Sequence, residues 1–110
     1  MHGMNEEILS SAAVSEGAWV QVDGLESPFA VALYGFAAGD VVQIWLSDLY
    51  AKPAAAAPAD GDGTHQFGSD YTSDTRVLVE PSPRWLRVRK SAAGGAPATT
   101  KARVQGGGRQ

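Results

Sequence analysis

Residues 60–64 read DGDGT, and they form the first stretch whose residue types could do chemistry. Clustered carboxylate and carbonyl oxygens are the ligands that calcium prefers, and a stretch of this kind is typical of the start of a calcium-binding loop. The pattern then fails, because the fifth position is Thr64 and the twelfth, where such a loop needs a bidentate Glu, is Tyr71. The sequence therefore predicts a turn here rather than a metal site.

A hydrolytic triad can be assembled on paper from His65, Ser69 and Asp70. His2 and His65 are the two histidines of the chain, and neither belongs to an HExxH pattern that would indicate zinc. The GxSxG, GxGxxG and Walker patterns are also absent from the sequence. We therefore predict a protein that is not an enzyme and holds no metal or cofactor.

Positive charge is concentrated near the end of a chain that is acidic overall. The net charge is -3, but residues 1–80 hold all twelve carboxylates and two of the nine cations, whereas residues 81–110 hold seven cations and no carboxylate. This asymmetry is typical of a protein with a charged partner or with head-to-tail contacts between its own copies. The alternative is that the fold interleaves the two segments and neutralises them internally.

The stretch PSPRWLRVRK (81–90) carries most of this positive charge. In a strand, successive side chains alternate, so Leu86 and Val88 point to the core with Lys90 at the end, and the other side chains point outward. If residues 91–98 form a hairpin loop, the strand at 99–105 pairs beside this one and adds its outward cations to the same face. The predicted interface is then the set Trp85, Arg87, Arg89, Lys101 and Arg103.

A negative partner is expected opposite these cations, because like charges on neighbouring strands repel each other. Carboxylates of neighbouring protein chains are favoured, since Trp and Arg are frequent anchors of protein interfaces. Nucleic acid is disfavoured by the pI of about 5.2 and by the lack of an RRM or cold-shock motif. The remaining alternative is a solvated strand face whose Lys and Arg protect a sheet edge from aggregation.

Trp19 and Trp45 lie opposite the aliphatic faces of their predicted strands. They either fill a second layer of a sandwich or lie on a surface, where exposed aromatic rings could stack on sugars. Core packing is favoured for at least one of them, and a carbohydrate-binding module is kept as a distant alternative.

Alternation with a period of two residues dominates the chain and predicts the elements that must position these side chains. Its 110 residues allow one domain, its 13 glycines and 6 prolines indicate many turns, and it has no cysteine for disulfides. It has no signal peptide pattern and no apolar run long enough to span a membrane.

We predict an all-β, single-domain β-sandwich of about eight strands, at 7–14, 17–22, 29–34, 41–47, 64–67, 76–80, 85–90 and 99–105. The sandwich is expected to span 15–106, after an N-terminal arm and possible first strand at 1–14 and before a flexible tail at 107–110.

Three stretches in this order carry a family resemblance: GAWVQV (17–22), GFAAGDVVQIW (35–45), and PRWLRVRK (83–90) followed by a Gly-rich turn and TTKARVQG (99–106). With them the chain resembles small virion structural proteins of tailed bacteriophages, most closely the capsid cement or decoration proteins. The resemblance implies a jelly-roll-like sandwich that binds neighbouring major capsid subunits, reinforces the phage head and carries no catalytic residues. It also implies a virion location after assembly in the host cytoplasm. We expect a homo-oligomer, and a head-to-tail connector or tail component is the alternative role.

Overall fold

The computed structural model describes residues 3–54, 63–80 and 83–108. Eight strands follow one another in this part of the chain: β1 (Met4–Ser11), β2 (Val20–Gln21), β3 (Phe29–Tyr34), β4 (Val41–Ser47), β5 (Thr64–Tyr71), β6 (Thr75–Val79), β7 (Trp85–Ala92) and β8 (Thr100–Gly106). The predicted all-β architecture of about eight strands is confirmed. Within the described ranges, no helix has the length and apolar character that crossing a membrane requires.

The strands form two four-stranded antiparallel sheets, in the orders β1-β8-β3-β6 and β2-β7-β4-β5. The first strand pairs with the last, the second with the seventh, the third with the sixth and the fourth with the fifth. This nested pairing is that of a long hairpin folded over into two packed sheets, which is a jelly roll. The predicted jelly-roll-like sandwich is therefore confirmed.

The core lies between the two sheets and contains the inward side chains that the alternation predicts. In β3 the buried residues on this side are Phe29, Val31 and Leu33, and in β4 they are Val42 and Ile44, followed by Leu46. Because one face of each sheet is apolar, burying both faces against each other removes them from water. Among the described residues, the buried core cluster comprises Leu9, Val22, Leu25, Phe29, Val31, Leu33, Val42, Ile44, Leu46, Val79, Leu86, Val88, Ala102 and Val104.

Both ends of the described chain are tied to the sandwich. Residues Met4–Ser11, which were expected to include an arm and a possible strand, form β1 and pair with β8 in the same chain. Beyond β8, the carbonyl of Gly107 accepts a hydrogen bond from the backbone N–H of Glu26 at 2.9 Å, and Gly108 forms a β-bridge with Leu25. Of the tail predicted at 107–110, the last two residues lie outside the described ranges.

Candidate functional site

The five residues of the predicted interface do not share one sheet face. The predicted hairpin between β7 and β8 is wrong, because β7 belongs to the β2-β7-β4-β5 sheet and β8 to the other one. Residues 93–99 cross from one sheet to the other instead of turning back. Trp85, Arg87 and Arg89 therefore lie on one sheet, and Lys101 and Arg103 lie on the opposite one.

Two segments of the same chain, which we call the cover, enclose part of the β2-β7-β4-β5 sheet. Segment 15–19 runs beside β7 at the edge of the sheet, and segment 48–54 accepts hydrogen bonds from Trp19 and Trp85. Backbone hydrogen bonds of 3.1 and 2.8 Å join Ser15 to Lys90 and hold the first segment against β7. Gly17, at a φ of 67°, lies so close to β7 that a Cβ atom would collide with the carbonyl oxygen of Val88. In the second segment, the carbonyl of Leu49 accepts a 3.1 Å hydrogen bond from the indole N–H of Trp85.

Arg87 is fully buried beneath this cover, with an exposed fraction of 0 %. Its guanidinium lies over the ring of Trp19, 4.7 Å from the centroid, and 4.0 Å from a carboxylate oxygen of Glu16. Burial lowers the pKa of Arg87, and the charge of Glu16 partly opposes this effect. Arg87 therefore lies on the outward side of β7 as predicted, but its own chain encloses the side chain, so it is not accessible to a neighbouring protein.

Trp19 and Trp45 are both buried, with exposed fractions of 4 % and 7 %. The indole N–H of Trp19 donates to the carbonyl of Ala54 at 3.2 Å, and that of Trp45 donates to the side-chain oxygen of Gln43 at 3.0 Å. Each indole thus has an enclosed ring and a satisfied polar atom, as is usual for buried Trp. Neither ring belongs to the core cluster between the sheets, but both are buried, so neither is available to stack on a sugar.

Arg89 is held by a carboxylate of the cover. It donates two hydrogen bonds to Glu16, of 3.1 and 2.9 Å, and a third of 2.8 Å to the side chain of Gln43. The network continues across the sheet, since the amides of Gln43 and Gln66 both donate to one carboxylate oxygen of Asp70. These two amides, that of Gln66 first, lower the pKa of Asp70. The negative group expected opposite Arg89 is therefore present within the chain.

Most of the cations after residue 80 also have a carboxylate of the same chain as their partner. Arg84 lies 3.3 Å from Asp23, and Lys101 lies 3.9 Å from Glu7. Arg87 and Arg89 lie near Glu16, and Lys90 lies near Asp40. Five of the six cations described in 83–108 therefore face a carboxylate from the first 80 residues. Of the two alternatives for the charge asymmetry, internal neutralisation accounts for these five.

Asp40 is a buried carboxylate at the turn that precedes β4. It accepts hydrogen bonds from the backbone N–H groups of Ala37 (2.9 Å), Gly94 (3.0 Å) and Ala98 (3.2 Å). Backbone N–H groups that point at a carboxylate favour its charged form, and these bonds, that of Gly94 first, hold the pKa of Asp40 well below its usual value. Asp40 thereby fixes the crossing segment between β7 and β8.

Lys90 is the buried partner of Asp40, with its ammonium 3.3 Å from the carboxylate. The ammonium also donates to the carbonyl of Ala12 at 2.9 Å and to the hydroxyl of Thr100 at 2.9 Å. It therefore links the N-terminal segment, the start of β4 and the start of β8. The alternation of β7 already placed Lys90 on the inward side, which was the available signal for this role, but nothing in the sequence pointed to Asp40 as its partner.

The outer face of the β1-β8-β3-β6 sheet has a different character. Lys101 and Arg103 project from β8 between the buried residues of that strand, and Arg76 projects from β6. The register places Ala32 of β3 between Arg103 and Arg76, while Tyr34 lies beside Lys101. We call this surface, defined by Arg76, Lys101 and Arg103, the basic face.

Two of these cations make only surface contacts. Arg103 donates to the backbone and side-chain oxygens of Asn5 at 3.1 and 3.3 Å, and the side chain of Lys101 is 41 % exposed in its pair with Glu7. Exposed pairs of this kind contribute little to stability, so their side chains are able to exchange partners. The basic face therefore keeps two of the five predicted interface residues accessible.

The residues considered for a triad lie on β5, where Gly68 at a φ of 73° interrupts the extended backbone between His65 and Ser69. Both His65 and Ser69 are exposed. The carboxylate of Asp70 accepts from the amides of Gln43 and Gln66. No group of three or more potential metal ligands occurs among the residues that the structure describes, and residues 60–62 of the DGDGT stretch lie outside them.

Comparisons with models of known protein families, with curated proteins and with solved structures returned no match for this chain.

Proposed function

We propose that the chain is a non-enzymatic structural protein of a tailed-phage virion, of the cement or decoration type, which binds major capsid subunits through its basic face. The observation that carries this proposal is the difference between the two outer sheet faces. One is occupied by the chain's own residues, since Arg87 is fully buried against the ring of Trp19. The other presents Arg76, Lys101 and Arg103 around a small side chain, Ala32.

The shape of the basic face fits docking on another protein. Ala32 is a small side chain between Arg103 and Arg76, whereas Ala30 is only 2 % exposed. An acidic surface laid on this face would meet cations that are bound only by exposed contacts, which is the arrangement that favours electrostatic steering and register. The resemblance to phage cement proteins supplies the class of partner, and the confirmed jelly roll is the fold that this resemblance implied.

The test uses purified shells assembled from the major capsid protein of the same phage genome. The double variant Lys101→Glu/Arg103→Glu reverses two charges on the basic face, and its binding to shells is measured by co-sedimentation at several salt concentrations. We expect the wild-type chain to saturate the shells at a fixed stoichiometry with salt-sensitive affinity, and the variant to bind at least about tenfold more weakly.

The matched control is Lys52→Glu/Arg84→Glu, which changes the net charge by the same amount. Lys52 belongs to the cover and Arg84 directly precedes β7, and both are accessible to solvent. The control should bind like the wild-type chain. Equal binding by the basic-face variant, or equal weakening by the control, would remove the basic face from the proposal. Binding only to portal or tail assemblies would assign the chain to the connector role instead.

A further inference from the structure

β6 is the edge strand of the β1-β8-β3-β6 sheet, and its sequence is TRVLV. One side pairs with β3 in a regular register, and no strand in the described part of the chain pairs with its other side. The side chain of Leu78 is 55 % exposed on this strand, although Leu is a residue that folding normally buries. An edge of this kind presents a row of backbone N–H and C=O groups to any strand that approaches.

The other three edge strands carry features that hinder edge pairing. β1 has an irregular register between Glu7 and Leu9, and β2 is only two residues long. β5 has a register shift opposite β4 and contains Gly68 at a φ of 73°. Bulges, short strands and interrupted backbones are the usual means by which proteins protect sheet edges. β6 has no bulge, glycine, proline or lysine, and three of its five residues are β-branched.

The sequence around β6 is also complementary to itself in one antiparallel register. If Leu78 faces Leu78 of a second copy across a two-fold axis, Arg76 lies opposite Glu80 of that copy, twice by symmetry. Val77 then faces Val79 on the core side of the strand. In the register centred on Val77, by contrast, Asp74 would face Glu80, and like charges on directly opposed residues repel.

We propose that β6 pairs with β6 of a second copy, centred on Leu78, to form a continuous eight-stranded sheet. The partner is this chain itself, because the edge, the exposed Leu and the alternating charges all match their own two-fold image. This inference does not depend on the proposed function, since it concerns backbone pairing at the edge of the sheet, although Arg76 belongs both to β6 and to the basic face. The dimer would place two basic faces side by side on one surface.

A charge-swap series tests the pairing in solution. The masses of the wild-type chain, Arg76→Glu, Glu80→Arg and the double variant are measured by light scattering and sedimentation over a concentration series. Each single change places like charges opposite each other in both symmetric pairs, so we expect dimer dissociation to rise at least about tenfold. The double variant restores two opposite-charge pairs and should recover the dimer.

A cysteine cross-link tests the register independently. The chain has no cysteine, so Leu78→Cys introduces a single thiol that faces itself across the axis. Directly opposed residues of antiparallel strands have Cα atoms about 4.5 to 5.5 Å apart, within the range that a disulfide spans. We expect a disulfide-linked dimer on mild oxidation, and none from the exposed control Ser10→Cys on β1.

A wild-type chain that stays monomeric at all concentrations would overturn the inference. So would a dimer that both single charge variants leave unchanged, or a Leu78→Cys chain that cross-links no faster than the Ser10→Cys control. The shell-binding test uses Lys101 and Arg103 instead, so failure of one proposal is distinguishable from failure of the other.

Discussion

A buried cation and a buried anion decide how several segments meet in this molecule. Lys90 and Asp40 are both fully enclosed, and each is satisfied by several further hydrogen bonds. Charges are removed from water only when they are paired and hydrogen-bonded in this way. The pair therefore favours one arrangement of the crossing segment, because any other arrangement would leave a charge unsatisfied.

The lowered pKa of Asp40 predicts a pH dependence of stability. The unfolded chain takes up a proton near the ordinary value of 3.8, whereas the folded chain keeps Asp40 ionised to lower pH. The unfolded state thus binds more protons in acid, so the stabilisation is present above about pH 5 and is lost progressively as the pH falls below about 4. Urea denaturation of the wild-type chain and of Asp40→Asn at a series of pH values measures this.

We expect the stability difference between these two chains to be largest near neutral pH and to shrink towards pH 2. Asp70 also has a lowered pKa, but it is present in both chains and cancels in the comparison. The matched control is Asp23→Asn, which removes an exposed carboxylate from its pair with Arg84. A difference between wild type and Asp40→Asn that stays constant from neutral pH to pH 2 would contradict this account of Asp40.

At the scale of elements, the cover is what distinguishes the two sheets. Its first segment pairs with β7 at the edge of the β2-β7-β4-β5 sheet and supplies Glu16 to the arginines of that strand. Its close approach to β7 depends on Gly17, which has a positive φ and no side chain to collide with the strand. A Cβ at this position would be unfavourable both for the backbone angle and for packing.

Gly17→Ala should therefore lower the free energy of unfolding by about 1 to 3 kcal/mol. We also expect a red shift of tryptophan emission, because Trp19 and Trp45 would be less completely enclosed. The control is Gly95→Ala, since a Cβ at Gly95 would meet no atom within 4 Å. Chemical denaturation followed by fluorescence measures both effects. Equal stability of the two alanine variants would show that the cover does not depend on this close approach.

Much of the strand content followed from alternation alone. The predicted strands at 29–34 and 41–47 have the bounds of β3 and β4, because turn residues flank both and their apolar residues alternate cleanly. The buried side chains of β7 and β8 were also assigned to the correct face. Period-two patterning reports which side of a strand is buried, and here both sides of the sandwich obey it.

Strand neighbours were harder to predict, because alternation carries no information about which strand lies alongside. β7 and β8 are close in sequence and could have formed a hairpin. Instead, the backbone N–H groups of Gly94 and Ala98 between them donate hydrogen bonds to the carboxylate of Asp40. Burial of Arg87 was missed for a related reason. Its position on the outward side of β7 was correct, but segment 15–19 is distant in sequence, and the alternation in 17–22 does not indicate which strand lies beside it.

At the scale of the whole molecule, the chain is closed by pairing of its first and last strands. β1 forms seven residue pairs with β8 and shields the edge of that strand. Just after β1, the carbonyl of Ala12 accepts a hydrogen bond from Lys90. The ion pairs between the acidic first 80 residues and the basic remainder also hold the two parts of the chain together, because each joins residues that are far apart in sequence.

Deletion of residues 1–11 should therefore weaken the whole sandwich rather than release a separate arm. We expect the midpoint of thermal unfolding to fall by at least about 10 °C, since a loss of a few kcal/mol has this effect on a domain of this size. Circular dichroism at increasing temperature measures the midpoint, and a chain that lacks only residues 1–3 and keeps β1 is the control. An unchanged midpoint in the longer deletion would show that β1 contributes little to the fold.

The adjacency of β1 and β8 has a consequence for chain connectivity. Their register places Met4 opposite Gly106, so the two ends of the sandwich leave the sheet at the same corner. A short peptide could join these ends, and new termini could be opened in the crossing segment at Gly95, where a Cβ would meet no atom within 4 Å. Such a circular permutant would keep all the strand pairings, because the jelly roll is defined by which strands touch and not by where the chain starts.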